Sequence, residues 1–241
     1  MTWLHVSDFH FQEGDRYQAD KCLTALIDAV RQFREKDGRS PDLVFATGDI
    51  ASHGAEAEYS LASTFFDNLL EAAGLDKRRL FVVPGNHDAD RDVGKDLTRT
   101  LEKNEDAVTY FDAKREKLHI SKKQSEFVKW YNQYFAGIRE CAQRTTCSPP
   151  QIVVIGGCKI AILLVNSALF CSGYEKDPDQ NKLWIGRRCL DTAVAELKAS
   201  GAMLNSPLTK SAGSDSMGCS GTWGLPGWRW VGRGIGQVIW W

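Results

Sequence analysis

Trp3-Leu-His-Val-Ser-Asp-Phe-His10, Asp42-Leu-Val-Phe-Ala-Thr-Gly-Asp49 and Leu80-Phe-Val-Val-Pro-Gly-Asn-His-Asp88 share one form. In each, a four-residue apolar run (Trp3–Val6, Leu43–Ala46, Leu80–Val83) ends in residues that carry chemistry. Runs this short cannot hold a helical face of their own and read as buried strands. Between the first two, Ala19, Cys22, Leu23, Leu26, Ile27, Val30 and Phe33 recur at helical spacing. Asp37-Gly38 stops that helix, and Ser40-Pro41 restarts the chain in extended form. Between the second and third, Tyr59, Ala62, Phe66, Leu69, Leu70 and Ala73 make another such face, closed by Gly74. Strand and helix alternating at this spacing predict a parallel sheet with right-handed crossovers.

Outward from this unit the rhythm breaks. Residues 90–150 hold 12 Lys+Arg, 10 Asp+Glu and no strand-like run. Near-equal charges favour a solvated helical insertion over a nucleic-acid patch. One helix within it places Phe127, Trp130, Tyr131, Tyr134 and Ile138 inward, and Pro149-Pro150 ends the segment. Ile152–Ile155 and Ile160–Val165, joined through Gly156-Gly157, predict a hairpin. A last helix carries Leu190, Ala193, Val194 and Leu197 on one face. After Ser200 the composition changes: residues 201–241 hold four charged residues, nine glycines and five of the eight tryptophans. Neither helix nor strand periodicity runs through this tail, so the expected division is a domain over 1–200 and an aberrant tail over 201–241 outside the fold.

Bulk composition narrows the function classes. In 241 residues, 43% hydrophobic and 25% charged is an ordinary globular balance, against a disordered or fibrous chain. Thirty Lys+Arg against 31 Asp+Glu give a net charge of -1, which removes the simple electrostatic case for a nucleic-acid-coating or membrane-surface protein. No run approaches the ~18 apolar residues of a membrane span. The N-terminus lacks a basic segment and meets Asp8 too early for a signal peptide. Seven cysteines, an odd number without a C-x-x-C pair, read as reduced thiols of a cytoplasmic protein.

The chemistry lies at the three strand ends. In an open parallel sheet, ligands bind beyond the carboxyl ends of the strands, so clusters about 40 residues apart are expected to converge. Asp8, His10, Asp49, Asn86, His87 and Asp88 then gather carboxylates, imidazoles and one carboxamide. That mixture suits divalent Mn, Fe or Zn better than calcium or an iron–sulfur cluster. Gly48 and Gly85 fit a backbone that turns tightly and approaches an ion closely.

Leu4–His10, Asp42–Asp49 and Val83–Asp88 resemble the D-x-H, G-D and G-N-H-D blocks of the calcineurin-like metallophosphoesterase superfamily. The resemblance is strong over 1–90 and looser over 151–200, through Asn166-Ser167 and Leu183-Trp-Ile-Gly186. It implies an α/β fold, a two-sheet sandwich flanked by helices, and hydrolysis of phosphoric esters at a centre of two divalent ions (Mn, Fe, Zn or Mg). Carried over by position, Asp8 and His10 hold the first ion, Asp49 bridges both and Asn86 holds the second. His87 then stabilises the phosphate or protonates the leaving oxygen, with Asp88 orienting its ring. The phrasing is most similar to bacterial members that stand alone or head multidomain proteins. The expected substrate is therefore a phosphodiester such as a cyclic nucleotide, a nucleotide or nucleic acid, with further domains possible in a longer form.

The sequence departs from the family beyond His119. Its five histidines are 5, 10, 53, 87 and 119, so the later imidazole ligands, including the G-H-x-H block, are absent. The change near 201 points to a lost reading frame or a truncated chain with an unrelated end, leaving the C-terminal part of the fold missing or replaced. His5 reads as a packed strand residue, His53 as a polar loop residue and His119 as structural. The rival to an enzyme is a catalytically silent metal-binding domain.

Overall fold

A computed structural model describes residues 1–14, 17–90, 92–93, 113–141, 149–171, 187–199, 229–231 and 237–240. Strand β1 (Trp3–Val6), helix α1 (Tyr17–Asp37), β2 (Leu43–Thr47), α2 (Glu56–Ala73) and β3 (Leu80–Val83) follow the predicted rhythm. The three strands form one sheet in the order β1-β2-β3, every pair parallel. Then come α3 (Ala113–Lys123), α4 (Ser125–Tyr134), the antiparallel hairpin β4 (Gln151–Ile155) and β5 (Cys158–Val165), and α5 (Arg187–Ala199). Gly156 and Gly157, with φ of 55° and 78°, turn the hairpin, as two left-handed positions in a row require.

Alternation along β2 and β3 divides the core in two. Leu43, Phe45, Phe81 and Val83 face Ile160, Ile162 and Leu164 of β5, which makes the sandwich of two sheets. The intervening Val44, Ala46, Leu80 and Val82 face the helical side. Strands buried on both faces read as continuous apolar runs rather than alternating ones. Helix α2 ends at Gly74, whose φ of 67° is the left-handed cap. Leu23, Leu26, Ile27 and Val30 of α1 pack on the helical core as its spacing predicts, whereas Phe33 is exposed.

The helix of the charge-rich insertion turns inward the face that its spacing predicts. Phe127, Trp130, Tyr131 and Tyr134 are buried in the same core as α2, and Trp130 stacks on Tyr59 at 5.2 Å while its indole N–H donates to Ser63. Helix α4 thus buries one face while its charges stay on the other. Trp130→Ala is therefore expected to cost about 3–5 kcal/mol, the usual loss for a large buried aromatic, read as a lower urea midpoint. A loss below 1 kcal/mol would mean that this inward face adds little to the core.

Part of the tail, read from sequence as lying outside the fold, joins the second sheet: β6 (Arg229–Val231) and β7 (Gln237–Trp240) lie there, and β7 pairs antiparallel with β5 from Ile162↔Trp240 to Val165↔Gln237. The second sheet thus runs β4-β5-β7-β6. Strands of three and four residues are too short for periodicity to register. The rest of 201–241, like Leu183–Gly186, lies outside the described residues. Among the described residues no disulfide joins Cys22, Cys141, Cys158 or Cys171, and no helix is long and apolar enough to cross a membrane.

His119 is buried with its ring against Phe170, 4.8 Å between centroids. Burial first, then the charges of Lys123 and Arg115, push its imidazole from 6.5 down to about 4. The folded state thus binds this proton less readily than the unfolded chain. The stability is whole above pH 6.5 and is lost as pH falls towards 4. The urea midpoint is expected to fall across that window, and to fall less in His119→Phe. An identical fall in the variant would assign the acid sensitivity elsewhere.

Candidate metal centre

The loops after β1, β2 and β3 are stitched into a continuation of the sheet. Asp8 N–H donates to the Gly48 carbonyl (3.3 Å), His10 to Asp49 (2.9 Å), Phe11 to Ile50 (2.8 Å) and Gly48 to Val83 (3.0 Å). Holding this ladder while turning side chains to a common point demands unusual backbone. Asp8, His10 and Asp49 have φ of 60°, 46° and 51°, and among the described residues they are the non-glycine positions in the left-handed region. Such conformations are uncommon outside glycine, and here they coincide with residues expected from sequence to bind an ion.

Three of the expected site residues come together. Ligand atoms of His10, Asp49 and His87 lie within 4.8 Å of one another. The two imidazoles meet edge to face, centroids 4.5 Å apart, and His10 Nε2 is 4.0 Å from Asp49 Oδ2. The other oxygen, Asp49 Oδ1, accepts the His87 N–H at 3.1 Å. Asp49 is buried, and that burial pushes its carboxyl above the usual range against the opposing pull of the His87 amide and both rings. Asp8 is exposed and lies outside this trio, although its charge reaches Asp49. His87, which the sequence reading kept out of the ligand set, lies within reach of the same point.

Gly85 is required by contact. A Cβ there would stand 2.2 Å from Asp49 Oδ1 and 2.3 Å from its amide nitrogen. Next to it, Asn86 Oδ1 is buried with no hydrogen-bond partner among the described residues. An orphaned buried acceptor normally costs of the order of 1–3 kcal/mol, a cost that a bound cation would remove. An imidazole and a buried carboxylate so close together, with a second imidazole beside them, offer donors that suit a divalent transition ion.

Asp88, expected from sequence to orient the His87 ring, gathers backbone amides of two loops. Its carboxylate is buried, with Oδ1 accepting from Ala51 N–H (2.8 Å) and Tyr59 hydroxyl (3.1 Å). Oδ2 accepts from Gly85 N–H (2.8 Å) and Ile50 N–H (3.1 Å). Burial lifts this carboxyl to about 7 despite those amides. Asp88 therefore ties the β3 loop to the β2 loop. The His87 ring is held by Ser52, whose carbonyl accepts from Nδ1 at 3.0 Å. Ser52 also donates its hydroxyl to the His10 carbonyl at 3.0 Å, so it touches both imidazole residues. Sequence reasoning missed Ser52 and Tyr59, whose partners lie 29 to 42 residues away and leave no local signal. His5 contacts Thr47 inside the sheet at 2.6 Å, and His53 is engaged with Glu58 at 3.2 Å.

A family model described as calcineurin-like phosphoesterase matches residues 1–185. The chain belongs to this family. The uncharacterized metallophosphoesterase-like protein YydB of Bacillus subtilis (strain 168) is 31% identical over 101 residues, 42% of this chain. That stretch covers 19% of YydB, so the likeness is to a small part of a longer protein. Calcineurin-like phosphoesterases depend on metal ions and act on phosphate esters. The parallel sheet, its flanking helices and the trio at its carboxyl edge agree with that membership.

Proposed function

We propose that this phosphoesterase hydrolyses phosphodiesters of the nucleotide or nucleic-acid class, with two divalent ions held by Asp8, His10, Asp49 and Asn86. The observation that carries the reading is the meeting of His10, Asp49 and His87 where Asp8, His10 and Asp49 all take left-handed backbone. Bound ions supply charge neutralisation at phosphoryl oxygens and a more acidic water. His87 supplies the proton chemistry at the leaving oxygen. Its Nδ1–H is committed to the Ser52 carbonyl, which fixes the tautomer and leaves Nε2 to exchange the proton. Asp88 is a positioning residue, acting through the loop amides it gathers. The diester preference rests on the likeness of the Gly48–Ala51 and Val83–Asp88 phrasing to bacterial members. An odd cysteine count without a C-x-x-C pair supports a cytoplasmic location.

A second reading, a silent metal-binding domain, is favoured by the absence of histidine after His119. Nitrophenol release from bis-nitrophenyl phosphate and from nitrophenyl phosphate, at micromolar and millimolar Mn²⁺, separates the two. With the later imidazoles missing, little turnover is expected at micromolar metal and a trace at millimolar, because mass action fills a weak site. His87→Ala is expected to lower that trace by about 10²–10⁴-fold, the range for loss of a general acid. Manganese binding without turnover of either ester at any concentration would leave the silent domain.

A further inference from the structure

We infer that Lys123, at the α3–α4 junction, is a positioning residue of the metal centre, clasping the loop that carries Asn86 and making the seating of the insertion depend on metal occupancy. Lys123 is buried at 1% exposure, an expensive place for an ammonium unless its contacts matter. Its Nζ donates to the carbonyls of Leu169 and Cys171, beyond the end of β5. Cys171 in turn sets its thiol 3.9 Å from the Asn86 carbonyl. The backbone carbonyl of Lys123 accepts the Asp90 N–H at 2.7 Å, four residues past Asn86 in the same loop. Two routes from one residue therefore converge on the segment 86–90, one through the backbone and one through the ammonium.

Neighbouring residues complete the clasp. Gln124 Oε1 accepts from the Asn166 side-chain amide at 2.8 Å, gripping the end of β5, and His119 lies on Phe170. The junction thus holds together the ends of strands from different sheets. Asn86, the residue it steadies, carries the orphaned Oδ1. An ion that satisfies this oxygen fixes the loop, and a fixed loop holds Asp90 and Cys171 against Lys123. By linkage the coupling works equally in both directions. Outer residues that orient metal ligands commonly change metal affinity by about 10–100-fold.

The inference rests on the metal-centre reading, and amide hydrogen exchange with and without saturating Mn²⁺ tests both without any turnover. In the wild type, Mn²⁺ is expected to slow exchange at 49–52 and, by about tenfold or more, in 113–134. Lys123→Met is expected to keep the slowing at 49–52 and lose the metal-dependent part in 113–134, which simple destabilisation would not do. Slowing at 49–52 with none in the wild-type insertion overturns the clasp, and this arm stands even if Lys123→Met does not fold. No slowing anywhere overturns the metal reading and the clasp with it. An insertion equally metal-sensitive in Lys123→Met overturns the role of Lys123.

Discussion

Asp49→Asn is expected to abolish manganese-dependent hydrolysis and manganese-dependent stabilisation together, while the metal-free protein keeps its stability. Asparagine can retain Oδ1 as acceptor for the His87 N–H. What it loses is the anionic Oδ2 that faces His10, replaced by an amide donor where a cation would sit. Without metal, the wild-type carboxylate is buried and its ionised form disfavoured, so neutralising it removes a cost along with an acceptor. With metal, the balance reverses. A ligand at 100 times its Kd stabilises the native state by about 2.7 kcal/mol. Thermal melts in EDTA and in millimolar Mn²⁺ are the measurement: a metal-induced rise in Tm for wild type, none for the variant. A full rise in Asp49→Asn would remove Asp49 from the centre.

Gly85→Ala is expected to be among the most damaging single-methyl additions in the chain. The new Cβ would meet Asp49 Oδ1 at 2.2 Å and the Asp49 backbone nitrogen at 2.3 Å, and a backbone atom cannot rotate away. Retreat is blocked on the other side, where Gly85 N–H donates to Asp88 Oδ2 at 2.8 Å. Relief requires the β3 loop to part from the β2 loop, breaking bonds from Ile50, Ala51 and Tyr59 to Asp88. Overpacking of this kind costs about 1–3 kcal/mol, and loss of the buried network adds to it. Urea unfolding should show a midpoint lowered by at least that amount with an unchanged slope. A near-wild-type midpoint would mean that the two loops part easily, against the geometry that places His87 on Asp49.

The parallel strands were legible because Leu43–Ala46 and Leu80–Val83 are buried on both faces and leave an uninterrupted apolar signature. The centre was legible for a related reason: its side chains abut strand ends, so local sequence displays them together. What stayed hidden depends on distant contacts. Ser52 looks like an ordinary loop serine until His10 and His87 close on it, and Lys123 like one charge in a charged segment until β5 ends beside it. Tyr59 was read as a core face residue, which it is, but its hydroxyl also reaches Asp88. The tail strands were hidden by shortness, since Gln237–Trp240 acquires a strand's identity through its pairing with β5.

The left-handed backbone at Asp8, His10 and Asp49 bears on whether such a centre can be transplanted. Copying these side chains onto another parallel sheet would deliver the donors without their aim, because ordinary strand-end residues leave the sheet with negative φ. The recipient would also need the amide ladder that holds the turns, from Asp8 to Gly48 and from His10 to Asp49, and a glycine at the position of Gly85. The portable unit is therefore three loops with their handedness, and a graft of residues alone should bind metal no better than scattered surface histidines.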